Sequence, residues 1–125
     1  MRKRISTDKA PGTPSLLSQA IEAKGFIFTG GFIHATTDGK LVEGSVDDKV
    51  HQIMKNLEAV LTAAGVSFNN VVQAIVWVTD IADLPKINEI YKTYFIEPLL
   101  AREGICVKAL PLGASIEISM VAVKE

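Results

Sequence analysis

Hydrophobic side chains recur at helical spacing in two parts of the chain, and each pattern predicts an amphipathic helix. Between Ser45 and Gly65 the apolar residues are three or four positions apart: Val50, Ile53, Met54, Leu57, Val60, Leu61 and Ala64. Ser45 with Asp48 forms a capping-box signal at the start, and Gly65 suits the end of this helix. A second helix is predicted from Asp83, with Pro85 in its first turn and an apolar stripe made of Leu84, Ile87, Ile90, Tyr91 and Tyr94.

Segments rich in β-branched and aromatic residues predict strands in the rest of the chain. They lie at 3–6, 25–33, 40–42, 71–79, 104–110 and 115–123. Gly30-Gly31 interrupts the second of these segments, and a turn at 111–113 joins the last two. The order of elements predicts an α+β fold class, with two helices packed on one face of a sheet.

The segment 71–79 is apolar on both of its faces, which is typical of a strand that is buried on both faces. Two helices are enough to cover only one face of a sheet of this size. The other face, with Ile75 and Trp77 or their neighbours, would form an exposed apolar patch in a monomer. Such patches mark association surfaces, so the sequence predicts a homo-oligomer.

A length of 125 residues is typical of a single domain, and we expect that domain to span residues 1–125. Thirteen basic against fourteen acidic side chains give a net charge of −1, which argues against nucleic acid as the main partner. No apolar run is long enough for a membrane span, and the basic N-terminus lacks the apolar stretch of a signal peptide. A cytoplasmic location is expected, or a mitochondrial one if the organism is eukaryotic.

Few residues are available for metal or covalent chemistry. One cysteine, Cys106, excludes an internal disulfide framework, and two histidines, His34 and His51, supply a metal site poorly. We expect Cys106 to be a small buried residue and both histidines to lie on the surface. Gly30-Gly31 lacks the spacing of a phosphate-binding loop.

Two charged residues stand out from their surroundings. Glu117 lies within the apolar strand at 115–123, where a carboxylate needs either solvent or a charged partner. Arg102 lies at the entrance to the preceding predicted strand. Antiparallel pairing of the last two strands would bring the guanidinium and the carboxylate close to one pocket, either as a functional site or as a structural ion pair.

Several blocks of the sequence resemble the reactive intermediate deaminase family, the YjgF/YER057c/UK114 proteins. The resemblance extends over essentially the whole chain, and its most specific part is C-terminal. There an Ala-Arg pair precedes a strand, a Leu-Pro turn follows, and a Glu stands between two Ile residues. The matching blocks are 5–11, Ser18-Gln-Ala20, 49–65, 70–80, 88–95, Ala101-Arg102, Leu110-Pro111 and Ile116-Glu117-Ile118.

The resemblance implies a sheet like that of bacterial-type chorismate mutase, assembled as a homotrimer with active sites between subunits. It also implies hydrolysis of an enamine or imine carboxylate to a 2-keto acid and ammonia, without a metal or an organic cofactor. Arg102 is expected to bind the substrate carboxylate, and Glu117 to position or activate water. Backbone N–H groups around Gly31 are expected to assist substrate binding.

Some positions near the expected site depart from the family pattern. Leu17 stands where the family has Tyr, and Gly30 and Phe32 replace Ser and Gln on either side of Gly31. Glu103 places an acid beside the carboxylate-binding arginine. We expect Leu17, Gly30 and Phe32 to give the substrate pocket fewer polar groups, which favours imines with longer apolar side chains.

Two other classes of function are compatible with the sequence. A catalytically weak family member would bind a small ligand or act like a chaperone, although such a protein has less reason to keep both Arg102 and Glu117. Endoribonuclease activity or translational inhibition is also attached to this family. The net charge of −1 argues against that second alternative.

Overall fold

Seven strands and two helices make up the protein, whose computed structural model describes all residues from 1 to 125. In chain order the elements are β1 (Lys3–Ile5), β2 (Ala20–Ala23), β3 (Phe26–Thr29), β4 (Phe32–Ile33), α1 (Val46–Ala63), β5 (Val71–Val78), α2 (Leu84–Tyr91), β6 (Ala101–Cys106) and β7 (Ile116–Val123). Short 3-10 turns lie at Phe68–Asn70, Ile81–Asp83, Lys92–Tyr94 and Pro111–Gly113. The predicted mixed α+β class is confirmed.

Six of the strands follow one another in the order β1-β2-β3-β7-β5-β6, and β4 also pairs with β7. All neighbours are antiparallel except β5 and β6, which run parallel and are connected through α2. β5 therefore separates β6 from β7, and β6 forms one edge of the sheet. The expectation that the last two strands pair with each other is wrong, because the crossover through α2 adds β6 on the far side of β5.

Both helices pack on one face of the sheet, as their apolar stripes predicted. Ala74, Val76 and Val78 of β5 point into this interface and are buried. They belong to a hydrophobic core of 24 buried residues, which includes the whole predicted stripe of α1. Burial of this stripe, rather than intrinsic helix propensity, supplies most of the stabilisation of such a helix.

The ends of α1 also follow the sequence signals. Ser45 accepts a hydrogen bond from the backbone N–H of Asp48, whose carboxylate accepts one from the N–H of Ser45. Gly65 follows the helix with a φ of +82°, a conformation that glycine adopts without strain. No helix has both the length and the hydrophobicity that crossing a membrane requires.

The opposite face of the sheet carries no helix and exposes apolar side chains. Ile75 and Trp77 alternate with the buried residues of β5 and are only partly buried. On β3, the rings of Phe26 and Phe28 stack with their centroids 6.0 Å apart, and these residues are 43% and 46% exposed. A single chain therefore leaves an apolar surface on this face, as the two-sided pattern of β5 predicted.

The strands differ from their predictions in three places. β2 is absent from the prediction because Ala and Glu have low strand propensity; it forms by pairing with β3 through the turn Lys24-Gly25, with φ of 53° and 82°. The segment at 40–42 contributes only a single bridge, between Ala35 and Leu41. β6 spans Ala101–Cys106 instead of the predicted 104–110, because its parallel pairing with β5 runs from Ala101 to Cys106.

Two predictions about single residues are wrong in opposite directions. His34 is buried, with only 1% of its surface exposed, because its ring bridges two segments. Its Nδ1 donates to the carbonyl oxygen of Val42 at 2.9 Å, and its Nε2 accepts from the backbone N–H of Ser115 at 3.1 Å. Cys106 is exposed instead of buried, because it ends the edge strand β6.

The burial of His34 should make stability depend on pH. Burial lowers the pKa of His34 below its ordinary 6.5, so the unfolded chain binds the proton more readily, and stability is lost as the pH falls below that value. In a His51→Gln background, urea unfolding between about pH 5 and 7.5 should give a free energy of unfolding whose slope against pH includes a positive contribution from His34. Adding His34→Gln should reduce this slope. Equal slopes in the two proteins would contradict the assignment.

Candidate functional site

A groove of about 650 Å³ opens between the segment before β2, the glycines between β3 and β4, and the start of β7. Its walls include Leu17, Gly30, Gly31 and Glu117, which the sequence predicted for the site. Leu112, from the turn before β7, forms part of the rim. It is 72% exposed and has a φ of +60°.

Glu117 projects from β7 into this groove. Its neighbours Ile116 and Ile118 are buried in the core, so strand alternation directs the carboxylate to the helix-free face. Partial burial raises the pKa of the Glu117 carboxyl above its ordinary 4.5. No basic side chain of the chain lies within salt-bridge distance of it. A partly buried carboxylate without a counter-ion is suited to accepting a proton near neutral pH.

The backbone at Gly31 passes directly against the Glu117 carboxyl group. A Cβ atom at this position would lie 2.8 Å from Cδ and 3.2 Å from Cγ of Glu117. At Gly30 the nearest atom to such a Cβ would be the carbonyl oxygen of Gln19 at 3.6 Å, which is an ordinary contact. The close approach of the carboxylate therefore requires glycine at 31, whereas Gly30 is not constrained in this way.

The N-terminal wall of the groove is held by the buried side chain of Gln19. Its Nε2 donates to the carbonyl oxygens of Thr7, Ala10 and Pro11 at 3.0–3.1 Å. Its Oε1 accepts from the N–H of Thr7 at 2.8 Å. The Gly30 N–H in turn donates to the backbone carbonyl of Gln19 at 2.9 Å. Gln19 thus links the N-terminal segment, through its side-chain amide, to the glycines of the groove, through its backbone carbonyl.

Phe32 borders the groove, but its ring belongs to the core. The residue pairs with Ile118 and is 6% exposed, because alternation along β4 turns it toward the helices. Leu17, by contrast, is exposed and lines the groove. The apolar character expected of the groove therefore comes from Leu17, and the phenyl ring at position 32 serves packing.

Arg102 lies elsewhere, on the helix-covered side of the edge strand β6. It pairs with Ala74, which is buried in the core, whereas Glu117 pairs with Trp77 on the helix-free side. The guanidinium carbon of Arg102 lies 5.1 Å from the centroid of the Tyr91 ring. Within one chain the two charged residues are therefore on opposite faces of the sheet. The expected shared pocket is not formed by a single chain.

Glu103 does not accompany its neighbour Arg102. It pairs with Ile75 on the helix-free side, so strand alternation points the two side chains apart. No carboxylate lies within salt-bridge distance of the guanidinium. The acid next to the arginine in sequence therefore leaves the arginine charge unpaired within the chain.

Sequence reasoning missed two residues that position this region. Gln19 is visible in the sequence only as part of a family block, and nothing local signals its hydrogen bonds to residues 7–11. Tyr91 is visible only as one member of the apolar stripe of α2 and as part of the family block at 88–95. No group of three or more His, Cys, Asp or Glu side chains is placed to hold a metal ion.

Comparisons with known proteins give consistent similarities over the full chain. A family model described as "Endoribonuclease L-PSP" matches residues 7–124. The "2-iminobutanoate/2-iminopropanoate deaminase" of Rattus norvegicus is 45% identical over 125 residues, which span 99% of this chain and 91% of the rat protein. Yeast Mmf1 has a TM-score of 0.96 and 30% identity, with 100% of both chains covered. E. coli TdcF, solved with bound serine, has a TM-score of 0.91 and 31% identity, covering 98% of this chain and 99% of that chain.

The two glycines of the groove should respond differently to the same substitution. Gly31→Ala forces a methyl group against the Glu117 carboxyl, and it should lower the free energy of unfolding by about 1–3 kcal/mol, as overpacking does. Gly30→Ala is the matched control. It should leave stability unchanged or raise it slightly, because alanine reduces the entropy of the unfolded chain. Urea unfolding of both variants checks this, and equal effects would argue against the steric constraint.

Proposed function

The chain belongs to the Endoribonuclease L-PSP family, and from this premise we propose that it is a hydrolytic deaminase of enamine and imine carboxylates. The products are a 2-keto acid and ammonia. The rat relative is named for deaminating 2-iminobutanoate and 2-iminopropanoate, substrates of this class. The observation that carries the proposal is the partly buried Glu117 carboxylate with its raised pKa, held against the Gly31 backbone in an open groove.

Glu117 is the general base in this proposal. It accepts a proton from water while the water oxygen bonds to the imine carbon and the C=N π electrons move to nitrogen. The protonated Glu117 then passes that proton to the nitrogen, which restores the carboxylate. The resulting carbinolamine then loses ammonia as its C–N bond breaks and a C=O bond forms. The raised pKa brings the basicity of the carboxylate closer to neutral pH, where proton transfer is most effective.

Arg102 anchors the substrate carboxylate in the same proposal. A guanidinium forms two parallel hydrogen bonds to a carboxylate, and no acid of the chain competes for it. The residue lies on an edge strand, which a neighbouring molecule can approach. Because Arg102 and Glu117 occupy opposite faces of one chain, a site that uses both takes Arg102 from one subunit and Glu117 from another.

We extend this arrangement to a homotrimer with a chorismate-mutase-like sheet. The support is the apolar helix-free face, where Phe26, Phe28, Ile75 and Trp77 are incompletely buried in a single chain. Contiguous apolar surface of this kind is uncommon on monomers. A three-fold axis repeats one heterologous interface until the ring closes, and it creates three identical sites.

The proposed activity can be tested in a coupled assay. A dehydratase acting on threonine generates 2-iminobutanoate, and addition of the protein should accelerate release of the 2-keto acid. Binding of 2-ketobutanoate without any acceleration would instead indicate a ligand-binding protein. Cleavage of a defined RNA, without acceleration of keto-acid release, would favour the endoribonuclease alternative.

The assembly should be visible in the molecular mass. Light scattering at micromolar concentration should give about three times the 13.5 kDa of one chain. Trp77→Asp places a charge on the apolar face and should dissociate or precipitate the protein, whereas Lys55→Asp, on the exposed side of α1, should leave the mass unchanged. A stable wild-type monomer would remove both the trimer and the intersubunit site.

Glu117→Gln should separate activity from stability. The variant should hydrolyse the imine about 10²-fold more slowly, because the amide cannot accept the proton from water. Its thermal midpoint at neutral pH should stay the same or rise, since a raised carboxyl pKa means that the charge opposes folding above that pKa. Wild-type turnover should fall as the pH drops through the Glu117 pKa.

Arg102→Lys is the complementary variant, because it keeps the positive charge and loses the paired donors. The activation free energy calculated from kcat/KM should rise by about 2–3 kcal/mol, mainly because KM increases. If both variants release keto acid at the wild-type rate, these two residues do not carry the reaction.

A further inference from the structure

The Tyr91 ring and the strand backbone at Gly104 border the Arg102 guanidinium on the helix-covered side. The Tyr91 ring faces it, with the guanidinium carbon 5.1 Å from the ring centroid, within the range of a cation–π contact. A Cβ at Gly104 would lie 3.8 Å from Nη2 of Arg102 and 3.3 Å from Cδ2 of Leu84. Such a Cβ would be in ordinary van der Waals contact with Arg102, so the strand backbone at Gly104 borders the guanidinium without crowding it.

The Tyr91 ring is itself held firmly. Tyr91 is the last residue of α2 and is 6% exposed, and its ring packs against that of Phe95 with the centroids 4.9 Å apart. Burial raises the pKa of Tyr91 to about 12, and the charge of Arg102 opposes this only in part. The ring is therefore neutral, and it provides a fixed face without neutralising the arginine.

A ring face constrains an arginine differently from an ion pair. Contact with the ring uses none of the five N–H donors of the guanidinium, so the donors stay available for a carboxylate. The chain offers Arg102 no carboxylate within salt-bridge distance. The aromatic contact is thus the feature of the chain that orders this long side chain while leaving its charge free.

We propose that Tyr91 is a positioning residue, whose ring orients the Arg102 guanidinium for the carboxylate of the imine substrate. This inference rests on the proposed function, in which Arg102 anchors that carboxylate. Tyr91 itself does not touch the substrate, because its side chain is buried behind the arginine. The hydroxyl has no hydrogen-bond partner, so the ring alone performs the positioning.

The test compares three variants. Tyr91→Leu removes the ring, Tyr91→Phe keeps the ring and removes the hydroxyl, and Phe68→Leu removes a ring from the same aromatic cluster. Phe68 contacts the rings of Tyr94 and Phe95 and is not in ring contact with Tyr91. Each protein is assayed with 2-iminobutanoate generated in situ and with the corresponding uncharged imine amide. The Arg102 δ-methylene protons are followed by NMR, since a nearby ring face shifts them.

Tyr91→Leu should raise KM for the carboxylate substrate about tenfold and change kcat little, with no effect on the amide. Tyr91→Phe should restore the wild-type KM, and Phe68→Leu should lower the thermal midpoint without changing KM. The ring-induced shift of the Arg102 protons should be present in the wild type and in Tyr91→Phe, and lost in Tyr91→Leu.

A proportional loss of activity on both substrates in Tyr91→Leu would overturn the proposal, because it would indicate a general structural role. An unchanged Arg102 proton shift in that variant would overturn it as well. Failure of the proposed function gives a different result, in which the wild type lacks deaminase activity. That result would also end the substrate role of Tyr91, although the proton shift would still report the contact between ring and arginine.

Discussion

β5 is hydrogen-bonded along its length to β7 on one side and to β6 on the other, so each of its side chains is committed to one of two faces. Small and β-branched residues, Ala74, Val76 and Val78, meet the helices. Larger ones, Ile75 and Trp77, meet the helix-free side. The register of β5 also sets the faces of its neighbours, and therefore the placement of every charged residue in the proposed site.

This register places the two charged residues of the proposed mechanism on opposite faces of the sheet. Arg102 is in register with a core residue of β5, and Glu117 with Trp77 on the helix-free face. A one-residue slip of either neighbour would exchange the faces and would bury apolar residues incorrectly. The same packing that stabilises the chain thus prevents it from completing the site alone, which makes activity and assembly inseparable in the proposed mechanism.

The sequence predicted most of what depends on periodicity. The two helices, the capping box of α1 and the two-sided character of β5 all follow from local patterns, and the structure contains them. The sequence did not predict features that depend on contacts between residues distant in the chain. β2 forms because β3 is available to pair with it, and His34 is buried because Val42 and Ser115 supply its hydrogen bonds.

The residues of the candidate site were likewise predicted only in part. Glu117, Gly31, Gly30 and Leu17 are found together in the groove, as a family resemblance implied. The sequence did not predict that Arg102 lies on the other face of the sheet. This placement follows from the parallel pairing of β6 with β5, and no residue pattern within β6 indicates which strand it pairs with. The contact between Tyr91 of α2 and Arg102 of β6 also depends on tertiary packing, so local patterns do not predict it.

Leu112, at the rim of the groove, has a backbone conformation that is unfavourable for leucine. A left-handed conformation costs a residue other than glycine about 1 kcal/mol or more, and an exposed leucine gains little from packing in return. Selection for thermal stability alone would favour Gly or Asn at this position. Selection for an apolar rim would keep the leucine. The residue at position 112 therefore indicates which property was selected: Gly or Asn would indicate stability, and leucine indicates an apolar rim.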